Sequence, residues 1–269
     1  MKQIKYIFLL SIIFFACDEI NPVNNFSNKY TFLCVLKNNQ VIQTAYLYNV
    51  LDMESDFSYN TFYNDFIRDA EIIMSDGTIS SQMQYRGRLP SSESITYSDD
   101  SVFHGRILPN KKYDIQIKIN DEIITGSTTT PGGFAIHIPI NNTIDLDKDA
   151  DKEYIGSSLV YKYRFSWGES ANSSHYIVYL GAIYKNESGS AYSFYQTINT
   201  VDTFAVIDIP EVHPNAWGHY PESAKIVVVS VDKNYYEYNI LKRDRAGLNS
   251  GYGVFGSTIV DSCIVDIIR

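Results

Sequence analysis

The sequence predicts an all-β protein built from two β-sandwich domains, with one short helix near its C-terminus. Aromatic residues make up 14% of the chain and include 22 tyrosines, and aromatic side chains favour strands. Short runs of alternating apolar and polar residues recur, most clearly in "KYDIQIKI", residues 112–119, where Tyr113 and three isoleucines share one face. The single segment with helical character is "KNYYEYNILKRDRAG", residues 233–247, with Gly247 as its terminator.

The first 16 residues have the layout of a secretory signal peptide. Lys2 and Lys5 precede an apolar run from Tyr6 to Phe15, which is too short to span a bilayer as a helix. Ala16 and Cys17 then resemble the end of a bacterial lipoprotein signal, in which the cysteine is acylated and the preceding peptide is removed. That resemblance implies that Cys17 anchors the chain to a membrane of the cell envelope. The alternatives are an ordinary secretory signal with an incidental cysteine, or an uncleaved anchor.

The mature chain is predicted to be strongly acidic. The sequence has 22 basic and 31 acidic side chains, and removing Lys2 and Lys5 leaves a formal charge of −11. A nucleic-acid partner is therefore not expected, because phosphate binding needs a basic surface. Asp18 and Glu19 resemble the acidic export signal of surface lipoproteins. We expect an outer-membrane lipoprotein that faces either the periplasm or the cell surface.

The remaining chain divides into a tether and two domains. Residues 17–28 are Asn-rich with a proline and predict a flexible tether. Residues 29–131 are predicted to form the N-terminal sandwich, residues 132–158 an acidic linker, and residues 159–269 the C-terminal sandwich. Their strand-like runs are "KYTFLCVLK", "QTAYLYNV", "AEIIMS", "KYDIQIKI" and "EIITGSTTT", then "SLVYKYRFSW", "SSHYIVYLGAIY", "AYSFYQTIN", "DTFAVIDI", "AKIVVVSVD" and "DSCIVDII". The turn "INDE" joins two of these strands as a hairpin.

Two local motifs resemble those of known sandwich domains. Leu108, Pro109 and Tyr113 look like the turn and tyrosine corner of a fibronectin type III or immunoglobulin-like domain. Trp167, in "YRFSWGESANSSHYIVYLGAIY", resembles the tryptophan that anchors the core of such a domain. Each predicted sandwich therefore has a recognisable core position.

The chain as a whole resembles the DUF4249 family of lipoproteins, found mainly in Bacteroidota and related phyla. The resemblance rests on "PNKKYDIQIKIND", "VSVDKNYYEYN" and "GLNSGYGVFGS" and covers most of the mature chain. Members have no known function and often look like companions of outer-membrane TonB-dependent transport systems. The resemblance implies such a partner, and it supplies no catalytic residues.

The sequence contains no convincing catalytic motif. The stretch "GYGVFG", residues 251–256, satisfies G-x-G-x-x-G, but it follows a helix and precedes a strand without a βαβ unit. Glycine turns and packing of Tyr252 and Phe255 explain it better. The sequence contains no G-x-S-x-G, H-E-x-x-H or Walker motif. We therefore predict a protein that is not an enzyme, although the paired carboxylates of a glycosidase can lie far apart in a chain.

Three groups of residues suggest other chemistry. Five acids alternate in "DLDKDADKE" and offer oxygen ligands to Ca²⁺, the alternative being a solvated linker; they are Asp145, Asp147, Asp149, Asp151 and Glu153. No other cofactor is expected.

Cys34 and Cys263 are the two cysteines left after Cys17, and a disulfide between them is a hypothesis that the oxidising envelope permits. His213 and His219, in "HPNAWGH", are interpreted as loop histidines without a metal.

Surplus aromatic residues indicate a binding surface. The segments "YLYN", "FSYNTFYNDF" and "AYSFYQ" hold more rings than a sandwich can direct inward, and Tyr59, Phe62 and Tyr63 are the predicted contact residues. The alternative is β propensity combined with the composition of an AT-rich genome. We expect a lipid-anchored, non-enzymatic binding or accessory protein beside an outer-membrane receptor. A carbohydrate-directed hydrolase and a structural, adhesin-like spacer are the competing hypotheses.

Overall fold

The structure, a computed structural model, describes residues 30–49, 66–88, 95–99, 107–137, 140–185, 188, 191–215 and 218–269. It confirms the all-β prediction. The strands are β1 (Tyr30–Lys37), β2 (Gln43–Asn49), β3 (Glu71–Ser75), β4 (Ser80–Arg88), β5 (Ile95–Asp99), β6 (Lys112–Ile119), β7 (Glu122–Thr129), β8 (Thr143–Asp145), β9 (Ala150–Ile155), β10 (Ser158–Ser166), β11 (His175–Lys185), β12 (Ala191–Thr200), β13 (Phe204–Pro210), β14 (Tyr220–Val231), β15 (Arg245–Ala246) and β16 (Tyr252–Ile268). Among these residues, no helix has both the length and the apolar character needed to cross a membrane.

Strands β1 to β7 form the first sandwich. Their hydrogen-bonded order is β1-β2-β5-β4-β3-β6-β7, and side chains from all of them meet in one hydrophobic cluster. The predicted alternation of β6 is confirmed, because Tyr113 and the three isoleucines after it are buried. Leu108 donates its backbone N–H to the Tyr113 hydroxyl at 2.9 Å, as expected for a tyrosine corner. The β6–β7 hairpin turns at Asn120, which has a φ of 52°.

The second sandwich packs two sheets of unequal size around a second hydrophobic cluster. Strands β12, β11, β14 and the second half of β16 form one sheet, and β13, β10 and β9 form the other. Trp167 lies between them with 2% of its surface exposed, and Tyr176 packs edge-on against its ring at 5.3 Å. The predicted role of Trp167 as a core anchor is confirmed.

Strand β16 belongs to both sandwiches. Residues 252–258 pair in parallel with β1, and residues 258–266 pair antiparallel with β14. Phe255 is fully buried in the first cluster, whereas Val265 is fully buried in the second. The domain boundary predicted from sequence therefore needs correction, since part of the segment 159–269 completes the N-terminal sandwich. Gly253, which pairs with Phe32 of β1, has a positive φ of 102°.

Residues 132–158 are not the linker that the sequence predicted. They contain β8, β9, a 3-10 turn (Ile140–Asn142) and a single helical turn, α1 (Leu146–Asp149). Ile144 and Leu146 are fully buried in the second cluster. Strand β8 pairs in parallel with the end of β16, and β9 pairs with β10. Apolar residues between the acids thus tie this segment into the second sandwich.

The helix near the C-terminus is present but shorter than predicted. It consists of α2 (Lys233–Tyr235) and a π-helical turn (Tyr236–Ile240), so it ends before Gly247. Lys242 has a left-handed φ of 57°, which ends the helical path. Asp232 caps its start by accepting the backbone N–H of Tyr235 at 2.8 Å.

Candidate binding surface

An aromatic and aliphatic surface covers the outer side of the larger sheet of the second sandwich. Alternate residues of β11 enter the core, so the residues between them face away from it. We call this surface the aromatic face, and it comprises Tyr179, Gly181 and Ile183 of β11, Ser193, Tyr195 and Thr197 of β12, and Lys225 and Val227 of β14. Side chains of all three strands therefore contribute to it.

Strand register places these residues in rows across the sheet. Gly181 lies opposite Tyr195 on one side and opposite Lys225 on the other. The next row joins Tyr179 to Thr197 and Val227. The side chain of Tyr195 is 77% exposed and that of Tyr179 is 43% exposed. Two tyrosines of adjacent rows thus present their rings to solvent.

Gly181 determines how the Tyr195 ring lies. A Cβ atom at Gly181 would stand 3.3 Å from Cε1 of Tyr195, so the ring extends across the neighbouring strand and covers the glycine. Aromatic residues commonly cover a cross-strand glycine in this way. One side of the ring is occupied by the sheet, and the 77% exposure leaves the other side open to a ligand. A depression of about 290 Å³ lies beside it, lined by Tyr179, Ile183 and Val227 among others.

The polar groups on the aromatic face suit recognition rather than catalysis. Lys185, at the rim, pairs with Glu222 at 2.5 Å, whereas Lys225 makes no ion pair with any described residue. Its ammonium group can therefore donate hydrogen bonds to a ligand. Ser193 and Thr197 add hydroxyl groups beside the rings. Rigid tyrosines mixed with short polar side chains are typical of binding surfaces.

A larger depression lies on the first sandwich, and two of its polar side chains already have partners. It measures about 710 Å³ and lies between β6, β7 and the segment 247–249. Asn249 accepts the backbone N–H of Thr125 at 2.7 Å, and Asp114 pairs with Lys112 at 2.8 Å. These two side chains are therefore less available to a ligand.

Asp232 is the most deeply buried carboxylate near the junction of the two sandwiches. Burial raises the pKa of its carboxyl, while hydrogen bonds from Thr128 and the Tyr235 backbone act in the opposite direction. Ser257 of β16 lies 3.1 Å from the Thr128 hydroxyl, so the cluster links β7, α2 and β16. A depression of about 430 Å³ opens beside it. The side chain has structural partners that account for its position, and sequence reasoning did not single it out.

The structure does not bring the predicted calcium ligands together around one site. Asp145 caps α1 and pairs with Lys148, and the carboxylate of Asp149 accepts the backbone N–H of Asp145 at 2.9 Å. Asp147 pairs with Lys152 at 2.8 Å. Glu153 pairs with Lys162 at 2.9 Å, and Asp151 lies exposed on β9. No group of three or more metal-ligating side chains is found among the described residues. The calcium interpretation is corrected, because the five carboxylates do not converge and four of them contact lysines or backbone groups.

The predicted disulfide is not formed. Cys34 and Cys263 are free, buried thiols. Cys34 pairs with Phe255, and Cys263 lies eight residues further along the same strand, about 26 Å away at the usual rise per residue. Disulfide-bonded cysteines have Cα atoms within about 7 Å. Each thiol instead packs in a different hydrophobic cluster.

The two loop histidines pack with aromatic rings. His213 donates from Nε2 to the Ser193 carbonyl at 3.2 Å and accepts the backbone N–H of Asn215 at Nδ1. The ring of His219 packs edge-on against Tyr192 at 4.2 Å. These contacts give both rings a structural role beside β12.

The predicted contact residues Tyr59, Phe62 and Tyr63 lie outside the described residues, and so does the predicted anchor Cys17. The expectation of exposed rings is confirmed for "AYSFYQ", because Tyr192 is 44% exposed and Tyr195 is 77% exposed.

Comparison with known proteins found no family model that matches the chain and no curated protein that is similar to it.

Proposed function

We propose that this chain is a lipid-anchored cell-envelope protein, a non-enzymatic component that binds a ligand or partner beside an outer-membrane, TonB-dependent transport system. The aromatic face supports the binding part of the proposal. The signal-like N-terminus, with Cys17 at its end, supports the anchor. The resemblance to DUF4249 lipoproteins supports the association with a transporter.

The observation that carries the proposal is the exposure of Tyr195 in the middle of a regular strand. Isolated exposed rings are common on protein surfaces, but here Tyr179 and Ile183 extend the apolar surface over adjacent rows. Interface energy concentrates in a few such aromatic anchors. A contiguous exposed surface of this composition is therefore best explained by a partner that covers it.

The predicted tether suits capture near a membrane. A flexible, Asn-rich segment of 12 residues has a root-mean-square length of about 20 Å. Such a tether lets the folded part sample orientations while keeping it near the bilayer. The aromatic face can then meet a partner embedded in the same membrane.

The test removes the two tyrosines of the aromatic face. We expect Tyr179→Ala combined with Tyr195→Ala to reduce chemically crosslinked capture of envelope partners by about tenfold or more, because both anchors are lost. Quantitative mass spectrometry of the crosslinked complexes from intact cells measures the effect. The control is Tyr154→Ala, since Tyr154 is 73% exposed but lies on β9 of the opposite sheet.

Unchanged melting temperatures of the variants establish that folding is intact. Equal capture by the wild type and the double variant would contradict the proposal and favour the hydrolase or spacer alternatives. An equal loss with Tyr154→Ala would show that capture does not depend on this face.

A further inference from the structure

The outer strands of the two sheets differ in how they are protected against pairing with another strand. These strands are β12 and β7 in the long sheet and β9 and β13 in the short sheet. An outer strand leaves backbone N–H and C=O groups without partners, and proteins usually cover them or place charges and prolines there. Three of the four strands follow this rule.

Strand β7 is covered by the segment 247–249. Ser127 donates its backbone N–H to Gly247 at 2.9 Å, and Asn249 donates its backbone N–H to Thr125 at 2.9 Å. Strand β9 carries the exposed charges of the sequence "ADKEYI". Strand β13 contains Asp208 and ends at Pro210, and the Gln196 side chain accepts the backbone N–H of Asp208 at 3.1 Å.

Strand β12 has none of these protections over most of its length. Its ten residues, "AYSFYQTINT", include no charged residue and no proline. Its register with β11 runs without a bulge from Ala191 to Thr200. Tyr, Phe, Thr and Ile favour strand pairing. The strand is therefore long, regular and uncharged.

The hydrogen bond from His213 shows which residues of β12 point outward. Because the Ser193 carbonyl accepts from His213, Ser193 directs its backbone groups away from β11. Alternate residues of a strand share this direction, so Tyr195, Thr197 and Asn199 also direct N–H and C=O outward. Within the described part of the chain, the backbone of β12 accepts no other hydrogen bond from outside its own sheet ladder.

We propose that β12 pairs antiparallel with β12 of a second copy of this chain, across a two-fold axis near Thr197. The axis stands perpendicular to the sheet, so outward-facing residues meet outward-facing residues. Thr197 then lies opposite its own counterpart, and Tyr195 lies opposite Asn199. Threonine pairs are favourable across strands. The aromatic faces of the two copies continue into one surface.

The absence of charge on β12 makes a second copy a suitable occupant. The chain has a formal charge of −9, so most pairs of surfaces from two copies repel each other. Self-pairing of a charged strand would also bring like charges together, which is destabilising. The net charge of two copies still repels, but β12 is the one outer strand of the four without a charged residue, so its self-pairing brings no like charges into contact. The inference does not depend on whether the aromatic face binds a ligand.

The test adds one positive charge at either of two exposed positions. Thr197 lies on β12, and Ser262 lies on the same side of the sheet on β16, away from the outer strand. We expect the full wild-type chain in detergent to show a reversible monomer–dimer equilibrium by sedimentation velocity. Thr197→Lys should weaken the dimer by about fivefold or more, and Ser262→Lys should leave it unchanged.

A second variant tests the backbone directly. Thr197→Pro removes an N–H that points outward, so pairing with β11 is kept while pairing with a new strand is lost. We expect this variant to be monomeric with a folded circular dichroism spectrum. A wild-type chain that is monomeric at all accessible concentrations overturns the proposal. A dimer that both Thr197 variants leave intact overturns it equally.

Discussion

Gly253 is a point of close approach between β16 and β1. A Cβ atom at this position would overlap the backbone carbonyl of Phe32, and the residue has a φ of 102°. Backbone atoms of a paired strand cannot rotate away as a side chain can. The parallel pairing of β1 with β16 therefore requires glycine here.

Replacing this glycine should destabilise the protein strongly. We expect Gly253→Ala to lower the free energy of unfolding by about 3 kcal/mol or more, because overlap with β1 adds to backbone strain. Gly156→Ala is the control, since Gly156 also has a positive φ, 64°, but no atom lies within 4 Å of its added Cβ. That variant should lose only about 1 kcal/mol. Urea denaturation measures both, and equal losses would contradict the close approach at Gly253.

Asp232 should make stability depend on pH in a defined direction. Burial raises the pKa of its carboxyl above the ordinary value of 3.8. The folded state therefore binds this proton more tightly than the unfolded state. Its contribution to stability is complete below the unfolded pKa and is lost as pH rises through the folded pKa.

Asp232→Asn should remove this dependence. Asparagine caps a helix about as well as aspartate and stays neutral, so the variant keeps the cap without titrating. We expect the free energy of unfolding of the variant to rise relative to the wild type as pH increases from about 4 towards neutrality. Urea denaturation at several pH values tests this. A constant difference, or a relative gain by the wild type, would refute the role assigned to the buried carboxylate.

At the level of the element, β6 and β16 show what sequence patterns could predict. Strand β6 alternates strictly and has one buried face, so its side chains and hairpin were predictable. The glycines of "GYGVFG" made the first half of β16 resemble a turn. Their role is to let β16 lie against β1, a strand more than 200 residues earlier. Pairing between distant segments leaves no periodic signal in either one.

The aromatic face was predictable in composition and not in position. "AYSFYQ" held too many rings to be buried, and Tyr195 is exposed as expected. Its association with Gly181 and Lys225 depends on the register of three strands, which the sequence does not reveal.

The acids of residues 145–153 led to a wrong prediction of a calcium site because their side-chain partners could not be seen in the sequence. Their alternation suggested a metal loop, but lysines from α1, β9 and β10 pair with three of the five acids.

The shared strand predicts that the two sandwiches unfold together. Cys34 reports on the first core and Cys263 on the second. Burial raises the pKa of Cys34 to about 12 and also raises that of Cys263, so both thiols should react only after unfolding. We expect pulsed alkylation in increasing urea, read by peptide mass spectrometry, to give the same midpoint for both thiols. Reaction of one thiol at clearly lower urea would show that β16 does not couple the cores.

At the scale of the whole molecule, β16 separates the aromatic face from the start of the first strand. Thr31, near the start of the first strand, pairs with Tyr252, whereas Ile264 lies in the same row as Lys225. Tyr252 and Ile264 are 12 positions apart on β16, a separation of up to about 40 Å. The anchor proposed at Cys17 would leave the second sandwich as the part that reaches towards the proposed partner.

The most direct test of the proposed function asks whether the aromatic face is covered in the cell. A photo-reactive phenylalanine analogue replaces Tyr195 in one variant and Tyr154 in another, because both side chains are more than two-thirds exposed but lie on opposite sheets. After irradiation of intact cells, mass spectrometry of the crosslinked products identifies what each position contacts. The account predicts a specific, saturable adduct with an envelope partner or ligand at position 195 and none at position 154. Absence of an adduct at position 195, or the same adducts at both positions, would contradict it.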